Sequence, residues 1–393
     1  MRSLLIKAAL TGLSLTLVVG LCEMTLRLAH FGEANQTPLQ KLMTYDPLVG
    51  WRHKRNVSCE VIADEYHTTV HYNAQGVRGA DRPYSKPQNV SRIVVLGDSF
   101  VDAYAVQVQD QLTEILEASL GPQFQVINLG VAGYSTDQEL LLLEQEGWKY
   151  QPDLVVLAFY YNDVWGNGSR YLANSVTTQK PVFVAGAGGN LNLANVPVPP
   201  PALTLHERYR VYDLVRRAVY GNHWLYSLGV RAGLVYRKPP VEPFPAPSGA
   251  AGGGDEFRVY QRTEAPELRR AWTITQALLR RMKQETLERG ARLVVFYVPT
   301  RIELAPEEWS NNHLPPDYDA GEVSRKLVGI CQAEDIPNIE PSDRFREAAK
   351  QEPLYYRHDP HLNAAGQHLA GKILAEYVHS SWGGGKRTPA GLP

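Results

Sequence analysis

Cysteine is scarce in this chain: its 393 residues hold only Cys22, Cys59 and Cys331. That is too few, and too scattered, for a disulfide framework or for a zinc site built on Cys-x-x-Cys pairs. At most one bridge can form, between Cys59 and Cys331. A surplus of positive charge is missing too. The 40 Lys and Arg face 41 Asp and Glu, for a formal net charge of -1, so nothing drives phosphate neutralisation and a nucleic-acid partner is excluded on charge. No internal repeat of solenoid type occurs.

What the chain does have is apolar residues, 44% of the total, enough for a full core and for one large domain with appendages. Its start is distinct. Arg2 and Lys7 precede an uncharged run from Ala8 to Cys22, which lengthens to about 20 residues if Lys7 snorkels to the headgroups. Glu23 follows directly, no A-x-A-like site lies beyond it, and Leu21 stands where a lipoprotein signal carries a small residue. The expectation is an uncleaved anchor over residues 1–30 with Arg2 and Lys7 on the cytoplasmic side and the rest of the chain outside. Export with cleavage of the segment is the alternative.

Residues 31–90 are rich in turn formers and read as short strands and loops laid against a domain, with "VIADEYHTTVHYN" showing β-type alternation. From Arg92 the pattern changes to short apolar runs alternating with helical periodicity. Strands are predicted at Ile93–Leu96, Val126–Asn128, Leu154–Ala158, Leu293–Tyr297 and Ile336–Ile339, with helices over Asp110–Leu120, Asp137–Tyr150, Glu264–Arg289, Ala320–Glu334 and Ala364–Ser380. The fold class is α/β, a mainly parallel sheet of about five strands covered by helices on both faces. The Ser-Thr-Asp turn at 135–137 offers hydroxyl and carboxylate caps for a helix start. An insertion at about 165–260 interrupts the rhythm. It holds a hairpin pattern in "KPVFVAGAGGNLNL", an aromatic-rich helical stretch from Leu205 to Tyr236, and a Pro/Gly-rich tract. Residues 383–393 read as a disordered tail.

In an open parallel sheet, ligands gather at the carboxyl ends of the strands. Three polar segments, the first two bearing glycine, end there: Gly97-Asp98-Ser99, Asn128 to Gly133, and Asn162-Asp163. A serine hydroxyl is a weak nucleophile that needs a base, and the base needs a group that fixes its tautomer. The run "RHDPHLN" supplies His361 and Asp359. Gly97 permits the tight turn before Ser99, and Pro360 restricts the loop between Asp359 and His361. Oxyanion donors are available from the Ser99 N–H, from Gly130 or Gly133, and from the Asn162 amide. His358 and His361 also invite a metal reading, but no further carboxylate or cysteine nearby completes a ligand set, so no metal and no cofactor is expected. Taken singly, each segment reads more readily as a turn or a cap than as part of a site.

In this order, "GDSF" at 97–100, "NLGVAGYST" at 128–136, "YYND" at 160–163 and "HDPHLN" at 358–363 resemble the blocks of the SGNH, or GDSL, hydrolase family. The resemblance spans Arg92 to about Tyr377 and implies a flavodoxin-like three-layer α/β/α domain over 91–382. It implies Ser99 as nucleophile, His361 as base and Asp359 as its partner. It also implies an oxyanion hole from the Ser99 N–H, the Gly133 N–H and the Asn162 side chain. Many relatives carry Asp-x-x-His, whereas here one residue, Pro360, separates Asp359 from His361. That shorter ending is similar to SGNH-like polysaccharide O-acetyltransferases, and a backbone carbonyl is the alternative orienter of His361. The front segments "YDPLVGW" and "GVRG" resemble membrane-anchored, exported bacterial members.

The function these features imply is a serine esterase of the cell envelope, at the inner membrane with its catalytic domain outside the cytoplasm. Its partners are an ester-bearing carbohydrate, lipid or small molecule, with an O-acetylated polysaccharide favoured. Two other readings stand beside it: an O-acyltransferase using the same acyl-enzyme, and a non-catalytic envelope binding or assembly protein on the same fold.

Overall fold

The computed structural model describes residues 2–29, 31, 37–172, 178–186, 190–201, 208–232, 256–305 and 317–382. They divide into two units, one drawn from Met1–Lys41 and Pro201–Ser248, the other from Leu42–Pro200 and Gly249–Pro393. The Pro/Gly-rich tract at 238–255 and the tail at 383–393 lie outside the described residues.

The larger unit begins with two antiparallel hairpins. β1 (Met43–Asp46) pairs with β2 (Gly50–His53), and β3 (Val57–Ile62) pairs with β4 (His67–Tyr72). Along β4 exposed and buried residues alternate, with Thr68, Val70 and Tyr72 turned inward, as the period-2 pattern requires.

The sheet that carries the fold then forms from β5 (Ser91–Gly97), β6 (Phe124–Gly130), β7 (Leu154–Phe159), and, after the antiparallel hairpin of β8 (Val182–Ala185) and β9 (Leu191–Ala194), from β10 (Arg292–Tyr297) and β11 (Asn338–Ile339). All its pairs are parallel, and the strands lie in the order β11-β10-β7-β5-β6. In chain order this is the flavodoxin-like 2-1-3-4-5 arrangement of an open α/β sheet. Ile93 to Leu96, Val155 to Leu157 and Val294 to Phe296 are wholly buried. Apolar residues run unbroken through these central stretches because helices cover both faces.

The helix Leu112–Leu120 packs on Ala364–Trp382 and the helix Thr136–Gln145 on Pro266–Glu288, and the right-handed rule for parallel crossovers puts the two pairs on opposite faces of the sheet. In Pro266–Glu288 the buried side chains Leu268, Ala271, Thr275, Leu278 and Met282 recur three or four residues apart, the stripe of an amphipathic helix. Pro266 opens it, where a missing N–H costs nothing.

Some expectations are corrected. The pattern at 110–120 divides into a 3-10 turn, Val108–Asp110, and a helix from Leu112, whose N–H is capped by Gln367 Oε1 at 2.9 Å. The pattern at 137–150 divides similarly, with a 3-10 turn at Gly147–Tyr150. Ser135 makes no side-chain cap; instead Asn167 Oδ1 accepts the Asp137 N–H at 3.0 Å and Asp137 Oδ1 the Gln138 N–H at 2.8 Å. Cys59 and Cys331 are both free thiols. Cys59 lies on β3 while Cys331 is buried in the helix Glu322–Ala333, where desolvation pushes its pKa up to about 12.

In the smaller unit the helix Arg2–Leu28 contains a 20-residue span, Ala9–Leu28, with mean hydropathy 1.7 and no part buried. That span is long and apolar enough to cross a membrane. The helices Arg210–Gly221 and His223–Arg231 belong to the same unit.

Candidate active site

In a 2-1-3-4-5 sheet the strand order reverses between the first and third strands, and the crevice opens there. Here that point lies between β5 and β7, which lead directly into Ser99 and Asn162. The helix Ser99–Asp102 starts at once after β5 and folds back over the strand end. A Cβ on Gly97 would lie 2.4 Å from Val101 Cγ2 and 3.3 Å from Ala158 Cβ. Glycine is therefore required by this close approach, and not by a left-handed turn.

Ser99 is half-buried at the first helical position, where its N–H has no carbonyl of its own helix to meet. Its Oγ lies 2.7 Å from His361 Nε2. Asp359 Oδ1 lies 2.5 Å from His361 Nδ1 and also accepts the His361 backbone N–H at 2.9 Å. This Asx-type turn explains why the short Asp-x-His spacing still reaches the ring: the carboxylate folds back over the residue two positions on. With Nδ1–H donated to Asp359, Nε2 is left to accept the Ser99 proton. The ring packs between Phe100 and Tyr104, at centroid distances of 5.2 and 5.3 Å.

The loop that carries Asp359 is held by residues far away in the chain. Tyr66 donates its hydroxyl to Asp359 Oδ2 at 3.1 Å. Glu65 accepts the backbone N–H groups of Arg357, His358 and Asp359 at 2.6, 2.7 and 3.1 Å. From the other side Arg301 donates to the carbonyls of Tyr356 and Arg357 at 2.8 and 2.5 Å. Desolvation works to raise the Asp359 pKa, but the His361 ring and N–H and the Tyr66 hydroxyl outweigh it and hold the carboxyl below its usual range. His358 is exposed and engages Glu65 through its backbone. Among the described residues no group of three His, Cys, Asp or Glu side chains is placed to hold a metal ion.

Gly133 lies in the tight turn Val131–Tyr134, closed by the Tyr134 N–H to Val131 O at 3.0 Å. Its φ of +80° at the third position is that of a type II turn, which needs glycine. Trp51 Nε1 donates to Ala132 O at 3.0 Å, and the Tyr134 hydroxyl donates to Trp51 O, so the β1–β2 hairpin fixes this turn. Asn162 is the first residue of its helix, whose N-cap Tyr161 makes no side-chain cap, and Asp163 Oδ2 accepts the Tyr160 N–H at 2.8 Å. The Asn162 Nδ2 donates to Asp98 Oδ2 at 3.0 Å, while Asp98 Oδ1 accepts the Phe100 N–H at 2.9 Å. Asp98 is 2% exposed, and desolvation raises its pKa against the pull of these two hydrogen bonds and of His361.

Ser99, His361 and Asp359 thus form one hydrogen-bonded chain, and Asn162 is tied beside it through Asp98. Sequence reasoning missed Glu65, Tyr66, Trp51 and the part played by Asp98. It also missed a wholly buried charge cluster on the helix Thr136–Gln145, where Lys180 donates to Asp137 Oδ2 and, at 2.9 Å, to Gly166 O. Both carboxyl oxygens of Glu139 are buried without a hydrogen-bond partner. Burial, and then the neighbouring Asp163, Asp98 and Asp137, push its pKa well above the usual carboxyl range.

Residues 256–390 match the family described as the SGNH hydrolase-like domain of the acetyltransferase AlgX. The matched region includes Asp359 and His361. Curated protein sequences show no match. Among solved structures, the chain is similar to a catalytic mutant of the acetylxylan esterase Axe2 from Geobacillus stearothermophilus, at 14% identity over 75% of this chain and 94% of that one, with a TM-score of 0.37. It is similar to the acetyl xylan esterase AlAXEase at 13% identity over 73% and 99%, with a TM-score of 0.38. For TesA the figures are 12%, 74% and 97%, and 0.37.

Proposed function

We propose, on the premise that this chain carries an SGNH hydrolase-like domain, that it handles acyl groups on an envelope carbohydrate through an acyl-enzyme on Ser99. The observation that carries this reading is the chain of short contacts from Ser99 Oγ to His361 Nε2, at 2.7 Å, and from His361 Nδ1 to Asp359, at 2.5 Å. Ser99 Oγ attacks the ester carbonyl as His361 Nε2 takes its proton, and Asp359 stabilises the imidazolium. The developing oxyanion is met by the N–H groups of Ser99 and Gly133 and by the second Nδ2 hydrogen of Asn162, the first being held by Asp98. Collapse breaks the ester bond, and His361 returns its proton to the departing sugar oxygen. Water, activated by the same histidine, then releases the acyl group. The segment Ala9–Leu28 anchors the protein in the membrane, and the substrate is an O-acetylated polysaccharide met outside the cytoplasm.

One observation favours a second reading. The match over residues 256–390 is to an acetyltransferase domain, and a sugar hydroxyl in place of water would make this chain an O-acyltransferase with the same first half-reaction. Purified wild type, Ser99→Ala and His361→Ala, given an acetyl ester with and without an oligosaccharide acceptor, test both readings. Free acetate as the main product supports the hydrolase and acetylated sugar supports the transferase. Equal activity in all three proteins refutes both.

A further inference from the structure

The helix Arg210–Gly221 turns its charge inward. Asp213 is buried and takes ion pairs from Arg216, at 3.2 Å, and from Arg217. The Arg217 guanidinium also lies over the Phe31 ring, 5.0 Å from its centroid. The opposite side carries Tyr212, Leu214 and Val215, which are 46%, 43% and 54% exposed. In a helix of 3.6 residues per turn these side chains and Ala218 share one broad face, with Asp213, Arg216 and Arg217 behind it. The helix His223–Arg231 adds Trp224 and Leu228, one turn apart and 69% and 51% exposed. A soluble surface helix has the reverse arrangement, and an exposed apolar stripe of this kind marks a surface that meets something apolar.

What it meets follows from where the helix begins. Glu23 Oε2 accepts the Val211 N–H at 2.9 Å, and Arg27 Nη2 donates to Arg208 O at 2.7 Å. Glu23 and Arg27 both belong to the last turns of the apolar span Ala9–Leu28. Glu23 lies five residues before Leu28, about 7.5 Å along the helix axis. The surface helix therefore starts at a depth that matches the roughly 5–10 Å to which amphipathic helices sink into the headgroup boundary.

We infer that residues 208–232 lie in the plane of the bilayer entered by the N-terminal helix, with Tyr212, Leu214, Val215, Trp224 and Leu228 among the acyl chains. The inference rests on reading Arg2–Leu28 as a membrane anchor. The occupant of the apolar face is phospholipid. Arg208 and Arg231, exposed at the two ends of the segment, reach the headgroup phosphates.

The test uses the full chain reconstituted into phosphatidylcholine–phosphatidylglycerol vesicles. Subtracting the emission of Trp224→Phe from that of the wild type isolates Trp224. Its emission loses more than about half its intensity when the lipids are brominated near the headgroup end of the acyl chains, and it resists aqueous iodide. Trp224 quenched by iodide and untouched by bromine overturns the placement. Protection from both quenchers puts protein on this face and also overturns it. Flotation with the vesicles reads the anchor by itself: a chain that floats but leaves Trp224 in water refutes only the surface helices, and a chain that does not float refutes anchor and placement together.

Discussion

Asp98→Asn changes one atom of a side chain that is 2% exposed, and the geometry around it dictates a large catalytic effect. Asp98 accepts two hydrogen bonds, from Phe100 N and from Asn162 Nδ2. An amide in its place keeps one acceptor. If that acceptor stays on Phe100, the new NH2 group faces the NH2 of Asn162, and Asn162 must turn its amide over. The flip swings the Asn162 N–H away from the oxyanion. If the acceptor turns to Asn162 instead, the cap of the helix Ser99–Asp102 is lost, at about 1 kcal/mol, and Ser99 shifts with it. The first outcome removes one oxyanion donor, which costs about 10²–10³ in kcat, or roughly 3–4 kcal/mol of transition-state stabilisation. The assay is kcat and KM on an acetyl ester for wild type, Asp98→Asn, Asn162→Ala and the double variant, with thermal melting to confirm the fold. The two single variants fall by similar factors, KM changes little, and the double variant falls no further because both act on the same donor. An Asp98→Asn protein within about threefold of wild type, or a double variant that falls by the product of the single factors, refutes the reasoning.

Further predictions concern the supports of the site. Tyr66→Phe removes the hydroxyl from Asp359 Oδ2; discounted for partial exposure, the loss is about 1 kcal/mol and lowers kcat roughly fivefold, and an unchanged kcat would assign the positioning of Asp359 to the loop alone. Glu139 has a raised pKa in the folded protein, so the folded state keeps a proton that the unfolded chain releases above about pH 4.3, and stability falls as pH rises toward the folded value. Glu139→Gln flattens that fall, as thermal melting at neutral and mildly alkaline pH will read; identical pH profiles would contradict it. Lys180→Met strands Asp137 in the interior and costs about 3–5 kcal/mol by denaturant unfolding, while adding Asp137→Asn recovers much of the loss.

The strands were legible where burial on both faces made an apolar run unavoidable. Ile93–Leu96 and Leu154–Ala158 lie inside β5 and β7, each of which extends beyond them by only one or two residues at an end. The ends of β5 were less legible, because the backbone of Ser91, Arg92 and Gly97 continues the ladder where no apolar side chain marks it. Ser99, His361 and Asp359, which meet in the fold, were legible as ordered blocks, and the contact between Asp359 and His361 is local enough to follow from an Asx turn. Glu65 and Tyr66 were not. They stand at the tip of a hairpin whose pattern says only that a turn is present, and their partners lie some 290 positions away in the chain. Lys180 precedes a proline in an ordinary polar stretch, and only the fold reveals that its ammonium is buried on Asp137.

The central claim is that Ser99 carries the acyl group. Treating the full chain with a fluorophosphonate and mapping the adduct by peptide mass spectrometry tests it most directly. One stoichiometric adduct is expected on the peptide containing Ser99, absent in Ser99→Ala and formed far more slowly in His361→Ala. An adduct on another residue, or none on a folded protein that turns over acetyl esters, would contradict it.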